Sequence, residues 1–344
     1  MEPVTHFLTG ACLGRAGFNR KTALATATMT LAAEAPDLDV FARFKGPVFG
    51  FAHHRGFTHS FLGLALVSAV VVGFIYLVWR VRGRKTNDPA LPPRWGMLFA
   101  LAYLAGLSHI LLDFTNNYGV RPFWPFSERW YEWDIVFIID PILLATLTAG
   151  LVLPAFFALI NQEIGAKPQR FKGRGTAIAA LAVMVAWWAI RDFEHRRALN
   201  ALEARTYEQA NPIRVGAFPT YANPFLWHGV VETQNFFALA YVDSTTPEVD
   251  PGEHLEILSK PEETPVTLAA KHSYLGRVYL DWAKFPITET SPTENGGYLV
   301  HFYDLRFGPS EPGARRPLSA GVLLDRNLRV VKEFMGGAAQ PAPD

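Results

Sequence analysis

The chain has 344 residues, of which half are hydrophobic, with a formal net charge of +1 and a single cysteine. That apolar content in a chain of two-domain length exceeds what an ordinary soluble enzyme carries, and it points to membrane-embedded segments. The near-zero charge offers no general basic field for nucleic acid, and one cysteine excludes both an intramolecular disulfide framework and multi-cysteine zinc or iron–sulfur sites.

The first stretch, MEPVTHFLTGACLGRAGF, lacks a basic n-region and sets Glu2 and His6 ahead of a modest apolar run. It therefore reads as a retained segment rather than a cleaved signal peptide. Residues 4–16 and 22–35, rich in Ala, Thr and Gly, are too short and polar for confident spans. They read as helices that pack against other helices or dip partway into the bilayer. Four apolar runs follow, at 60–79, 96–114, 135–160 and 176–190, each near the length that crosses a hydrocarbon core of about 30 Å. The loops 80–94 and 161–175 are dominated by Arg and Lys, and the turn GRAGFNRK adds Arg15, Arg20 and Lys21. By the positive-inside rule these three lie in the cytoplasm. Alternation then carries His6, the PDLD and HHRGFTH motifs and the far end of the second run to the outer side.

Beyond Ile190 the texture changes. RDFEHRRALNALEARTYEQ has helical apolar spacing with many charges, and from about Ile213 short strands alternate with Pro, Gly and Asn, as in LWHGVVET, FFALAYVD, RVYLDWA and GYLVHFYDLRF. The expected architecture is an α-helical membrane bundle of about four spans plus two shorter N-terminal helices (1–191), a connecting amphipathic helix (192–212), a β-rich soluble domain (213–335) and a disordered tail (336–344). No internal repeat, P-loop or Gly-x-Ser-x-Gly elbow is present.

The chemistry concentrates in the first 113 residues: His6, Asp37 and Asp39 in APDLDV, His53, His54 and His59 in HHRGFTH, and His109 with Asp113 in SHILLDF. Imidazole nitrogen with carboxylate oxygen suits Zn²⁺, Mn²⁺ or Fe²⁺, and the lack of thiolates favours a catalytic over a closed structural zinc site. His109 and Asp113 have the sharpest spacing, because i and i+4 share one helix face. Ionisable groups inside so apolar a run are functional candidates by default; the bland reading is a helix-end histidine paired with its own aspartate. In PDLD, extended backbone after Pro36 turns the two aspartates to opposite sides, so one of them is expected as a direct ligand, or each serves its own ion. Glu34 is expected behind them. In HHRGFTHS, Gly56 permits a sharp turn, Thr58 or Ser60 caps the next helix, and Arg55 suits phosphate or another oxyanion. Spacing leaves His53 against His54 open. The segment after Asp113 mixes Asn116, Asn117, Tyr118, Arg121 and Arg129 with aromatics that a membrane-surface belt explains cheaply. The later histidines, His195, His228, His254, His272 and His301, show no ligand spacing.

PVTHFLTG, APDLDV, HHRGFTHS, HILLDFTNNYGVRPFWPFS and IIDP together resemble the bacterial YdjM family of inner-membrane, metal-dependent hydrolases, over about residues 1–144. The part beyond Ile190 looks like the C-terminal extension of longer members. The resemblance implies metal-dependent hydrolysis, with His6, Asp37, His59, His109 and Asp113 as ligands and Asp39, His54 and Arg55 beside them. The order aspartate, histidine, His-x-x-x-Asp is also similar to zinc-dependent phospholipase C and related fungal nucleases, although no later His-x-x-x-Glu follows.

The expectation is thus a multi-pass protein of the bacterial inner membrane, with its metal site and C-terminal domain on the outer side. One or more divalent ions, Zn²⁺ ahead of Mn²⁺, would activate water against a phosphoester of a membrane lipid or lipid-linked substrate. Asp37 or Asp39 would handle the water and Arg55 the developing charge. The competing reading is a non-catalytic membrane module with a structural metal cluster and a partner-binding outer domain. A metal transporter is disfavoured, because no ionisable track crosses the later runs.

Overall fold

The computed structural model describes residues 1–85, 91–163, 173–221, 223–308 and 317–336, with side chains from 158 to 163 left aside. The expected tail lies outside them, except for its first residue. The chain forms two compact units, one of Met1–Asp39 with Arg55–Phe193 and one of Val40–His54 with Glu194–Asp344.

The first unit is helical. α1 (Pro3–Arg15) starts where the Glu2 carboxylate accepts from the amides of Val4 and Thr5, with proline at the first turn. α2 (Ala25–Glu34) packs on α1 through Gly10 and Gly14: a Cβ on Gly10 would lie 2.6 Å from the Met29 carbonyl, and one on Gly14 2.6 Å from the Thr26 Cα. Small residues at i and i+4 let the two backbones nearly touch, as between helices in membranes. α4 (Phe61–Val81) is capped by Ser60, whose hydroxyl accepts from Gly63 N at 2.9 Å. α5 (Trp95–Thr115) sinks Leu98, Leu101, Ala102 and Ala105 against Met29 and Ala33 of α2 and Val71 and Ile75 of α4.

α6 (Pro141–Glu163) begins six residues later than the apolar run predicts. The Asp140 carboxylate accepts from the amides of Ile142 and Leu143, both at 2.9 Å, and Pro141 occupies the first helical position, so the helix starts there. Ile135 and Val136 instead donate their amides to the Thr115 carbonyl at 3.0 and 3.1 Å. α7 (Arg174–Ala204) is one helix of 31 residues, continuous from the apolar run into the expected connecting segment and ending before Arg205. Among the described residues three helices, α4, α5 and α7, are long and apolar enough to cross a membrane; the described apolar part of α6, Pro141–Phe157, is shorter.

The second unit is β-rich. β1 (Arg214–Pro219), β2 (Leu226–Glu232), β3 (Phe236–Asp243) and β4 (Glu248–Val249) form one antiparallel sheet, with β5 (Glu256–Ser259) also on β3. β6 (Pro286–Pro292), β7 (Tyr298–Asp304), β8 (Ala320–Leu324) and β9 (Val330–Met335) form a second, a simple meander. Alternation along the first sheet buries Trp227, Val231, Ala238 and Val242 with Ala198 and Leu202 of α7. Its opposite face buries Val230, Phe237 and Leu239 with Phe285, Ile287 and Tyr303 of the second sheet.

Between the sheets in sequence lie two helices, α8 (Pro265–Lys271) and α9 (Tyr274–Trp282). RVYLDWA, expected as a strand, is therefore helical. Ser273 caps α9, and Leu275, Tyr279 and Trp282 recur at helical spacing on its buried face, which outweighs the β-prone composition. A short helix, α3 (Pro47–His53), packs within this same unit, with Phe51 stacked 6.0 Å from Tyr279 and edge-on to Trp282 at 5.2 Å.

Candidate metal centre

Three elements of the helical unit bring the candidate ligands together. Asp37 lies in a 3-10 segment (Ala35–Lys45) that continues directly from α2, not in extended backbone as expected. The consequence is that Asp37 and Asp39 do not diverge; they approach opposite nitrogens of one imidazole, that of His59. His59 ends a single 3-10 turn (Phe57–His59) just before the Ser60 cap. His109 and Asp113 sit one turn apart on α5. The left-handed residue in HHRGFTH is Arg55, at φ +52°, rather than Gly56. Gly56 instead adopts φ −94° and ψ −112°, a region outside the usual wells that glycine tolerates.

Asp37, His59, His109 and Asp113 each offer one ligand atom, and all four atoms lie within 4.8 Å of one another. Five of the six separations are short: His59 Nε2 is 3.0 Å from His109 Nε2, 3.4 Å from Asp37 Oδ1 and 3.3 Å from Asp113 Oδ2. His109 Nε2 is 3.6 Å from Asp37 Oδ1 and 3.3 Å from Asp113 Oδ2. Four tetrahedral donors at about 2.0–2.1 Å from a zinc-like ion stand about 3.3–3.4 Å apart, so these separations match the edges of a metal-binding tetrahedron.

The tautomers agree. His109 Nδ1 lies 2.7 Å from the Ala33 carbonyl, which can only accept, so Nδ1 carries the proton and Nε2 presents its lone pair to the cluster. His59 Nδ1 faces Asp39 Oδ2 at 3.3 Å, the carboxylate–histidine pairing that orients metal-binding imidazoles. Asp39 thus holds His59 from behind, and the same Oδ2 accepts the Arg55 amide at 2.7 Å, fixing the two motifs together.

Buried polar atoms without partners mark where something further belongs. Asp113 Oδ2 makes no hydrogen bond, and neither does either ring nitrogen of His6, a fully buried residue stacked 3.7 Å over His109 with Nε2 3.5 Å from Asp113 Oδ1. Such orphans are rare and costly in water-free surroundings. Imidazole and carboxylate donors, the Ala33 carbonyl and Asp39 carboxylate behind the two imidazoles, and unsatisfied buried atoms together fit a divalent transition metal.

Electrostatics point the same way. Burial opposes a charged His59, yet the carboxylates of Asp113, Asp37 and Asp39 around it outweigh it and raise its pKa to about 10. For Asp37 burial likewise favours the neutral form, but the His59 hydrogen bond and the nearby His109 hold the carboxyl well below the usual range. The carboxylates favour positive charge at the Nε2 position, which a proton on His59 supplies and a divalent ion could supply in its place.

Arg55 borders this cluster. Its Nη2 donates to Asp113 Oδ1 at 2.7 Å and its Nη1 to the Gly119 carbonyl at 2.9 Å and Asn116 Oδ1 at 3.3 Å, with Tyr118 4.7 Å beneath the guanidinium. The Met1 amine also reaches Asp113. Of the seven residues expected as ligands, four converge; His6 and Asp39 adjoin them as described, and His54 caps the end of α3. His53 is exposed, with Nδ1 on the Phe49 carbonyl at 2.9 Å and its ring stacked on Phe49, so neither of the paired histidines joins the four. Sequence reasoning missed the Ala33 and Gly119 carbonyls, because a backbone acceptor leaves no residue-type signal.

The comparisons with known proteins identify the family. The model of the YdjM inner membrane protein family matches residues 1–198, which hold every group just described. The chain is also similar to the uncharacterized protein YfhP of Bacillus subtilis (strain 168), with 23% identity over 347 residues covering 98% of this chain and 95% of that one. No solved structure matches, and the expected similarity to zinc-dependent phospholipase C is not shown. On a match that spans more than half its length and contains the whole cluster, the chain belongs to the YdjM inner membrane protein family.

Proposed function

We propose that the chain is a membrane-embedded metal-dependent hydrolase that cleaves a phosphoester in a lipid or lipid-linked substrate. The observation that carries this reading is the cluster of Asp37, His59, His109 and Asp113 with a buried arginine at its edge, to which water would add a fifth ligand. A divalent ion held by those four residues would supply Lewis acidity and a water acidified for attack on phosphorus. Asp37 is the one member of the four that is half-buried rather than fully buried, with 22% of its side-chain surface exposed, and so takes the role of orienting the water. Asp39, committed to His59 and the Arg55 amide, acts as a positioning residue. Arg55, braced by Asp113, Asn116 and Gly119, stabilises charge on phosphoryl oxygens.

A lipid substrate is supported by the surface beside the cluster. Phe57 packs edge-on to Trp124 at 5.6 Å and Phe61 edge-on to Phe123 at 5.4 Å, and this aromatic ledge continues along α4 in exposed Leu62, Leu66 and Val70. A hydrocarbon chain lying along it would bring its headgroup beside the turn that carries Arg55 and His59. The site and the β-rich unit are assigned to the outer side on the Arg and Lys content of the opposite loops.

Turnover decides the reading. Purified full-length protein, loaded with Zn²⁺ or Mn²⁺, is expected to hydrolyse a chromogenic phosphodiester or phospholipid vesicles, and His109→Ala to lose about a thousandfold in rate. Stoichiometric metal with no hydrolysis of any phosphoester, together with an unfolded His109→Ala, would replace this reading with a structural metal cluster.

A further inference from the structure

Two kinds of buried, unpartnered atom border the metal cluster. Asp113 Oδ2 and the ring nitrogens of His6 can meet a cation. Arg55 Nε and Asn116 Nδ2 cannot: both are donors only, on residues 4% and 0% exposed, and a metal ion satisfies neither. We infer that Arg55 and Asn116 form an oxyanion subsite beside the metal cluster, in which the Asn116 amide is a second donor to a phosphoryl oxygen. That this oxygen is the substrate's rests on the hydrolase reading of the same cluster; that an oxyanion binds there does not.

Both donors are held in place. Arg55 Nη2 donates to Asp113 Oδ1 at 2.7 Å, Nη1 donates to the Gly119 carbonyl at 2.9 Å and to Asn116 Oδ1 at 3.3 Å, and the Tyr118 ring lies 4.7 Å from the guanidinium carbon. In a guanidinium the Nε–H lies on the same edge as Nη2, the edge that grips oxyanions in pairs, so the open N–H shares an edge with the nitrogen that already touches a cluster carboxylate. Asn116 Oδ1 accepts from Tyr118 N at 2.8 Å as well as from Arg55. Both of its partners are donors, which settles the oxygen end of the amide and leaves the two hydrogens of Nδ2 unused. A backbone bridge to Val136 fixes the residue further.

The residue type argues for a ligand. Aspartate would close the turn to Tyr118 N as well as asparagine does, and its carboxylate would pair with Arg55 more strongly than an amide. What asparagine adds at this position is Nδ2, and what it avoids is a charge that would repel an anion. Leaving two such donors unpaired in dry surroundings costs stability, which a ligand with several negatively charged oxygens returns. A phosphodiester and inorganic phosphate share that chemistry, and the test separates them.

Inorganic phosphate is titrated calorimetrically into full-length protein loaded with Zn²⁺ in detergent, beside Asn116→Asp and Asn116→Ala, with metal content measured on the same samples. Asn116→Asp keeps the acceptor for Tyr118 N and Arg55 and replaces the donor with a negative oxygen, so an asparagine with a structural role alone would leave phosphate affinity within about twofold. The expected losses at equal metal content are about a hundredfold in Asn116→Asp and about tenfold in Asn116→Ala. Phosphatidylglycerol in mixed micelles that competes with phosphate upholds the subsite and assigns it to the diester; binding without competition upholds it for the free anion. Turnover is scored separately: phosphate binding that depends on Asn116 in a protein that cleaves no phosphoester upholds the subsite and removes the hydrolase reading. A wild type that binds no phosphate, or an Asn116→Asp protein that keeps its affinity, overturns the subsite even where phosphoesters are cleaved and even if Asn116→Ala fails to fold.

Discussion

Both units bury ionisable groups, and two clusters of them are treated in opposite ways. In the β-rich unit the Asp304 carboxylate accepts from Lys284 N at 2.6 Å, Arg306 N at 2.9 Å and Arg306 Nε at 2.9 Å, while Arg306 Nη2 donates to the Trp282 carbonyl and its guanidinium lies on the Trp282 ring. His228, also buried, places Nε2 2.8 Å from the Leu305 carbonyl. These groups are closed by the chain itself. In the helical unit Asp113 Oδ2 and both nitrogens of His6 are left open around two imidazoles and two carboxylates. One buried pair closed on the chain itself and one cluster of imidazoles and carboxylates left open is the arrangement expected where the open cluster receives a ligand.

The contrast can be broken at its closed side first. Asp304→Ala leaves Arg306 charged, almost fully buried and without its carboxylate, so unfolding stability should fall by about 3–5 kcal/mol while metal content per folded protein stays constant. Chemical denaturation alongside metal analysis checks both halves. At the open side the same kind of change should act on the ligand instead. Asp39→Asn keeps the shape behind His59 but weakens its orientation, and metal affinity should drop about 10- to 100-fold, read by chelator competition, with little change in stability.

Protons sharpen the comparison further. In the ion-free site His59 holds a proton up to about pH 10, because its carboxylate neighbours raise its pKa. Below that pH a metal ion must displace the proton, so apparent affinity should climb about tenfold per pH unit from pH 6 to 9, with about one proton released per ion. The sign follows from competition: lower pH means more protonated His59 and weaker binding. Calorimetry in buffers of different ionisation enthalpy would report a pH-independent affinity if His59 were not a ligand. A smaller effect belongs to the packing that holds the site: Gly10→Ala sets a methyl 2.6 Å from the Met29 carbonyl and should cost about 1–3 kcal/mol, seen as a lower unfolding midpoint.

What the sequence disclosed followed from local chemistry. β2, β3 and β7 sit where the runs of β-branched and aromatic residues put them, and the His109–Asp113 pair was readable because one helical turn is a fixed geometry. α9 was misread because RVYLDW alternates as a strand does, and the evidence for helix, the Ser273 cap and Leu275, begins just upstream. The start of α6 was misplaced because apolarity alone ignores the Asp140-Pro141 cap. The division of labour between Asp37 and Asp39 was hidden for a different reason: it depends on a 3-10 backbone that wraps both around His59, a tertiary arrangement with no local signature.

Whether the four residues hold a metal is decided by the metal content of the full-length protein, purified without chelator and measured by inductively coupled plasma mass spectrometry beside Asp113→Asn. The account predicts about one or more equivalents of a divalent transition metal in the wild type and a near-complete loss in the variant. A wild type that stays empty after supplementation with Zn²⁺ and Mn²⁺, or a variant that keeps the full load, would contradict it.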